Sequence, residues 1–137
     1  MKTGIIIGRF QVRKLHLGHI YLISNALQEC DKVVILLGCV DLSSEYDREK
    51  NPYSSGEITE RIKKVFPQVD IMYLFDKESD EKWSRQVDML CDEYENPILY
   101  HSRDSFISHY SGKLPSKEIP ELEGYSGTKV RKEYPDG

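Results

Sequence analysis

The chain has 137 residues, enough for one domain with a substantial core. Hydrophobic residues make up 39% and charged residues 31%, a composition that predicts a soluble globular protein without disordered tracts. The net charge of −4 argues against a general nucleic-acid binder, and the longest apolar run, Val33 to Cys39, is too short to cross a bilayer.

Residues 3–8 predict a short β-branched strand bounded by glycines. Residues 18–29 place Ile20, Leu22, Ile23, Ala26 and Leu27 at helical spacing, so a helix follows. Lys32 to Gly38 is a near-continuous apolar run, the pattern of a parallel strand covered on both faces. A polar loop then spans Asp41 to Tyr53, with Asn51-Pro52 marking a turn. Ser54 or Ser55 can cap the next helix, with Glu57 and Glu60 near its positive end and Arg61, Lys63 and Lys64 toward the other.

Val69 to Phe75 predicts a third strand, Glu78 to Tyr94 a third helix, and Asn96-Pro97 a break before a fourth strand at Ile98 to His101. Ser105 to Tyr110 reads as a short helix, Ile119 to Glu123 as a fifth strand, and Ser126 to Tyr134 as a last helix. This alternation predicts one α/β domain over residues 1–137, a doubly wound, parallel, five-stranded Rossmann-like sheet with right-handed crossovers.

Cations gather at two places, Arg9, Arg13 and Lys14 near the start and Lys129, Arg131 and Lys132 near the end. Such clusters can focus a small, highly charged anion such as a nucleoside triphosphate even on an acidic protein. Cys30, Cys39 and Cys91 are odd in number and lack metal-like spacing, which fits reduced thiols in a cytoplasm. The start of the chain lacks a signal-peptide layout, since Arg9 follows at once on Ile5 to Ile7.

Gly8-Arg9-Phe10-Gln11, followed by His16-Leu17-Gly18-His19, falls where the first strand gives way to the first helix. Ligands of open parallel sheets bind at such carboxyl ends. His16 and His19, three residues apart at a helix entry, can converge on one side. Gly18 leaves room for phosphate to approach backbone, and Arg9 adds a planar charged fork. A zinc half-site is disfavoured because no acids or cysteines nearby complete it; two ordinary surface histidines are the plain alternative. Ser126-Gly127-Thr128-Lys129-Val130-Arg131 predicts a hydroxyl-lined helix start, or else an ordinary cap with a solvated basic face.

With these motifs in order, the chain resembles the HxGH nucleotidyltransferase superfamily, and within it the nicotinamide-nucleotide adenylyltransferases of the archaeal and Nudix-fused bacterial type. The resemblance rests on Gly8 to Gln11, on His16 to His19, on Asn51-Pro52-Tyr53-Ser54-Ser55-Gly56-Glu57, on Trp83, and on Ser126 to Arg131. It spans nearly the whole chain. One departure is the loop before His16, where Val12-Arg13-Lys14-Leu15 replaces the family's Pro-aromatic pair.

The resemblance implies transfer of AMP from ATP to nicotinamide mononucleotide, giving NAD and pyrophosphate. It implies that Gly8, Arg9, Phe10, His16, Gly18, His19, Ser126, Gly127, Thr128 and Arg131 hold ATP, with His16, His19 and Arg131 catalytic. Trp83 and Asn51 would meet the mononucleotide, the Trp83 indole either stacking on its ring or simply packing the helix. His101, Arg103 and Asp104 would lie near the adenosine, or else be loop scenery, while Arg48 and Lys50, in a mixed-charge loop, read as solvent-facing or else as contacts to substrate phosphate. Mg2+ would arrive on the ATP phosphates, with no metal site of the protein's own, and a homo-oligomer is implied. A cytidylyltransferase for a small phosphate ester and a non-catalytic nucleotide sensor are the alternatives. Gly8 to Gln11, the Asn51 segment and Trp83 weigh against the first, and the histidine pair against the second.

Overall fold

The computed structural model describes residues 1–10, 15, 17–39, 53–75, 77–102 and 106–120. They form β1 (Thr3–Gly8), α1 (Leu17–Glu29), β2 (Lys32–Cys39), α2 (Ser55–Val65), β3 (Asp70–Phe75), α3 (Asp80–Cys91), β4 (Pro97–His101), a 3-10 turn (Phe106–His109) and β5 (Ser116–Glu118). The strands make one parallel sheet in the order β3-β2-β1-β4-β5. This is the doubly wound α/β arrangement that the alternating pattern predicts.

Continuous apolar runs become central strands because successive side chains point to opposite faces, so both faces must be covered. Ile6, Val33, Ile35 and Leu37 pack with Ile23 and Ala26 of α1 and Ile58 and Ile62 of α2. Ile5, Ile7, Val34 and Leu36 pack on the other face with Val87 and Cys91 of α3. Most of these side chains are wholly buried, each contributing roughly 1.5–3 kcal/mol through loss of hydrated apolar surface.

The first two crossovers step one way across the sheet, and the third returns past β1 to start β4. The order therefore reverses between β1 and β4, and the carboxyl ends there flank a switch point, where open α/β sheets leave a crevice.

The helices start where side chains satisfy their first amides. Ser54 accepts from the Glu57 amide at 3.2 Å to cap α2, and Ser79 accepts from the Lys82 amide at 3.2 Å to cap α3. That second cap starts α3 two residues later than the expected Glu78. The helix also ends before Tyr94, at Cys91, where the Asp92 N–H closes a tighter turn onto the Met89 carbonyl.

The fifth strand is displaced from expectation. It lies at Ser116–Glu118 rather than 119–123, paired with β4 through Leu99↔Ser116 and His101↔Glu118. All three residues are exposed on the sheet edge, so no apolar signal marks them; buried Ile119, just beyond, is the core contact. The expected last helix, 126–134, lies outside the described residues. No helix among the described residues is long and apolar enough to cross a membrane.

Burial, with a smaller contribution from Asp88, pushes the Cys91 thiol up to about 12. The reactive species of cysteine is the thiolate. At pH 8 a maleimide should leave Cys91 unmodified in the folded protein and label it in denaturant, as peptide mass mapping would read; prompt labelling of the native state would contradict this packing.

Candidate functional site

At the end of β1 the chain sends two neighbouring side chains to opposite faces of the sheet. Phe10 adopts a left-handed backbone at φ 49°, and its ring is buried among the core residues of the α1 face. A Cβ at Gly8 would stand 2.9 Å from the Phe10 ring, so only glycine admits this turn. The ring meets His19 edge-on, with centroids 4.9 Å apart and planes at 61°. His19, in the first turn of α1, has a buried Nδ1, so Phe10 fixes the imidazole beside the positive end of that helix.

Arg9 takes the other face. Its stem lies over Gly38 of β2, where a Cβ would come within 3.0 Å of the Arg9 Cγ. Arg9 thereby lines a cavity of about 540 Å³ on the α3 side. The strand ends supply the floor through Ile7, Gly8, Gly38 and Leu74. Trp83 and Phe106 form aromatic walls, 6.1 Å apart between centroids and tilted at 56°. Lys77, Ser79, Asp80 and His109 complete the lining.

Two devices hold those walls. The Gln86 amide grips the main chain of Phe75, its Oε1 accepting from the Phe75 N–H at 3.0 Å and its Nε2 donating to the Phe75 carbonyl at 2.7 Å. Gln86 lies three residues after Trp83, so this clamp sets the indole over the carboxyl end of β3. The segment following Phe106 is tied to α3 as well. Buried Ser84 accepts from the Ser111 N–H at 2.9 Å, and Asp88 accepts from the Tyr110 hydroxyl and from the Lys113 N–H at 3.1 Å. Burial, then the bond to Asp88, raises the Tyr110 phenol, so it stays a donor.

Of the residues singled out in the sequence, Gly8, Arg9 and Trp83 converge on this one cavity. Phe10, Gly18 and His19 sit across the end of β1, on the α1 side. His101 is buried at the end of β4, its Nδ1 donating to the Ser102 carbonyl at 3.1 Å and its ring edge-on to Phe106 at 6.1 Å. It backs the cavity wall. His16, Asn51, Arg103, Asp104, Ser126, Gly127, Thr128 and Arg131 lie outside the described residues.

The sequence reading did not assign Gly38, Lys77, Asp80, Phe106 or His109 to the site. Gly38 carried one signal, a glycine closing an apolar strand, which often marks close approach of another group. Phe106 and His109 reach the cavity only because the sheet places β4 beside β1. No local pattern announces that. Gly38→Val should push Arg9 aside and weaken binding of a pyridine mononucleotide by roughly three- to tenfold, the scale of one polar contact. Calorimetry reads the affinity and thermal melting the retained fold; unchanged affinity would detach Arg9 from nucleotide binding.

No family model matches the chain. It is 29% identical to a nicotinamide-nucleotide adenylyltransferase of Methanolobus tindarius, covering 96% of this chain and 76% of that one. It is 30% identical to a nicotinamide/nicotinic acid mononucleotide adenylyltransferase of Acinetobacter baylyi, covering 97% of this chain and 75% of the relative. Among solved structures it is similar to a bifunctional NMN adenylyltransferase/ADP ribose pyrophosphatase of Francisella tularensis complexed with AMP and a manganese ion, at TM-score 0.67 and 22% identity. That match covers 99% of this chain and 42% of the bifunctional protein, so the chain spans about two fifths of its length. At 30% identity over three quarters of a curated relative, and with a parallel sheet whose β1 exit parts a cation from a buried aromatic, this chain belongs to the nicotinamide-nucleotide adenylyltransferase family.

Proposed function

We propose that this protein transfers AMP from ATP to nicotinamide mononucleotide, giving NAD and pyrophosphate. The observation that carries the reading is the cavity in which Arg9, at the exit of β1, shares one space with Trp83 and Phe106. A mononucleotide with a cationic pyridine ring and a phosphate needs both an aromatic face and a fixed cation. The family relation supports the same activity.

In this reading a phosphate oxygen of the mononucleotide attacks the α-phosphorus of ATP. The new P–O bond forms as the bond to the bridging oxygen of the β-phosphate breaks, and pyrophosphate leaves with that electron pair. The attacking oxygen is already anionic at neutral pH, so no proton needs removing. Catalysis rests on alignment and on neutralising charge that shifts to the leaving group.

The two faces of the β1 exit divide the work. His19, with His16, Arg131 and the hydroxyl-glycine turn of Ser126, Gly127 and Thr128, is assigned to the triphosphate, while Arg9 and Trp83 align the acceptor. Among the described residues no group of three or more His, Cys, Asp or Glu is placed to hold a metal. A divalent ion, which we take to be Mg2+, would be held by the triphosphate and would neutralise its negative charge; the manganese ion and AMP of the Francisella protein support such a partner.

Coupled detection of NAD from ATP and nicotinamide mononucleotide tests the assignment, with CTP and glycerol 3-phosphate as competing donor and acceptor. His19→Ala should lower kcat by roughly 10²-fold, as for loss of one preorganised donor to the leaving group, with circular dichroism unchanged. Trp83→Ala should raise KM for the mononucleotide roughly tenfold, and Trp83→Phe should restore most of it, the scale of a desolvated cation–π contact. Preference for CTP with an alcohol phosphate would refute the substrate assignment.

A further inference from the structure

Asp80 and Trp83 lie three residues apart on the first turn of α3 and line the same cavity, so what stacks on the indole passes the carboxylate. Asp80 Oδ2 is 3.3 Å from His109 Nδ1. A carboxylate only accepts, so Nδ1 carries the proton of this bond. His109 is held in turn, because its carbonyl accepts from Ser84 Oγ at 3.5 Å and the strap beyond it is tied to α3 through Ser111, Tyr110 and Lys113. Nearby basic groups of α3 have other partners, Lys82 pairing with Glu78 and Arg85 with Glu81. Among the described residues, Lys77 and Arg9 are the other cations that line the cavity.

The side of the cavity next to the aromatic wall therefore presents an oriented acceptor. The two pyridine mononucleotides differ at one substituent. A carboxamide has N–H donors for Asp80, whereas a carboxylate brings only acceptors and a like charge. Both effects discriminate in the same direction, one by a matched bond and one by repulsion. Two thirds of the Asp80 side chain is exposed to solvent, but a bound ring displaces that water and strengthens the interaction.

Resting on the mononucleotide reading above, we propose that the Asp80–His109 pair makes this cavity select nicotinamide mononucleotide over nicotinate mononucleotide. Asp80 accepts from the carboxamide, and His109 is a positioning residue that holds Asp80.

The native protein, Asp80→Asn, Asp80→Ala, His109→Ala and His109→Asn are compared with each mononucleotide. Turnover with MgATP gives kcat/KM, and quenching of Trp83, the single tryptophan, gives Kd without chemistry. The native protein should favour the amide by about tenfold or more, and both Asp80 variants should shrink that ratio by about fivefold or more, chiefly by admitting the acid. His109→Ala should shrink it partly, and His109→Asn, whose amide nitrogen replaces Nδ1, should restore it. A native ratio near unity, or a ratio unmoved in both Asp80 variants, overturns the inference alone if turnover persists. Selective quenching without turnover overturns adenylyl transfer and keeps the inference. Loss of both turnover and quenching with either nucleotide overturns both.

Discussion

The conformation of Phe10 governs the rest of this molecule. A left-handed backbone at an aromatic residue costs on the order of 1 kcal/mol or more, and it persists because burial of the ring holds it there. That turn lets consecutive residues serve opposite faces of one sheet: the phenyl ring packs on an imidazole on one side, and Arg9 lines a cavity on the other. Gly8 belongs to the same constraint, since a side chain there would occupy the space of the ring. In physical terms, the Gly-Arg-Phe sequence describes a junction more than a set of ligands.

The junction suits a reaction whose two substrates must meet at a phosphorus atom. Little covalent chemistry is asked of the protein, so rate depends on how rigidly the two halves are held. The cavity is held by side chains of α3 that grip its surrounding loops: Gln86 on the backbone of Phe75, Ser84 on the amide of Ser111, and Asp88 on Tyr110 and Lys113. Each ties a loop to α3, and α3 packs on the sheet through Val87 and Cys91. The cavity thus inherits the stiffness of the core.

Legibility in the sequence followed the range of the interaction. β1, β2, α1 and α2 were readable because apolar periodicity and Ser54 are local signals, and their bounds differ from expectation by little. The Trp83 helix was readable in kind but too long at both ends, because the Ser79 side chain caps it late and a tight turn at Asp92 closes it early. β5 was misplaced because an exposed edge of Ser, Lys and Glu carries no hydrophobic pattern. In the site, Gly8, Arg9 and Trp83 were legible through their motif context, while Phe106 and His109 were not. Those two arrive by way of β4 lying beside β1, a pairing that no window of neighbouring residues encodes.

The grip of Gln86 on Phe75 has an effect beyond the cavity. Among the described strands β3 is the outermost on its side of the sheet, and in a parallel ladder one residue's N–H and C=O point the same way. The amide side chain thus occupies the last outward-facing rung of that border, as a neighbouring strand would. A foreign strand seeking to extend the sheet from this corner finds donor and acceptor already taken, next to the exposed and sticky Tyr73 and Phe75 side chains. The contact that steadies a pocket wall also discourages polymerisation of the fold.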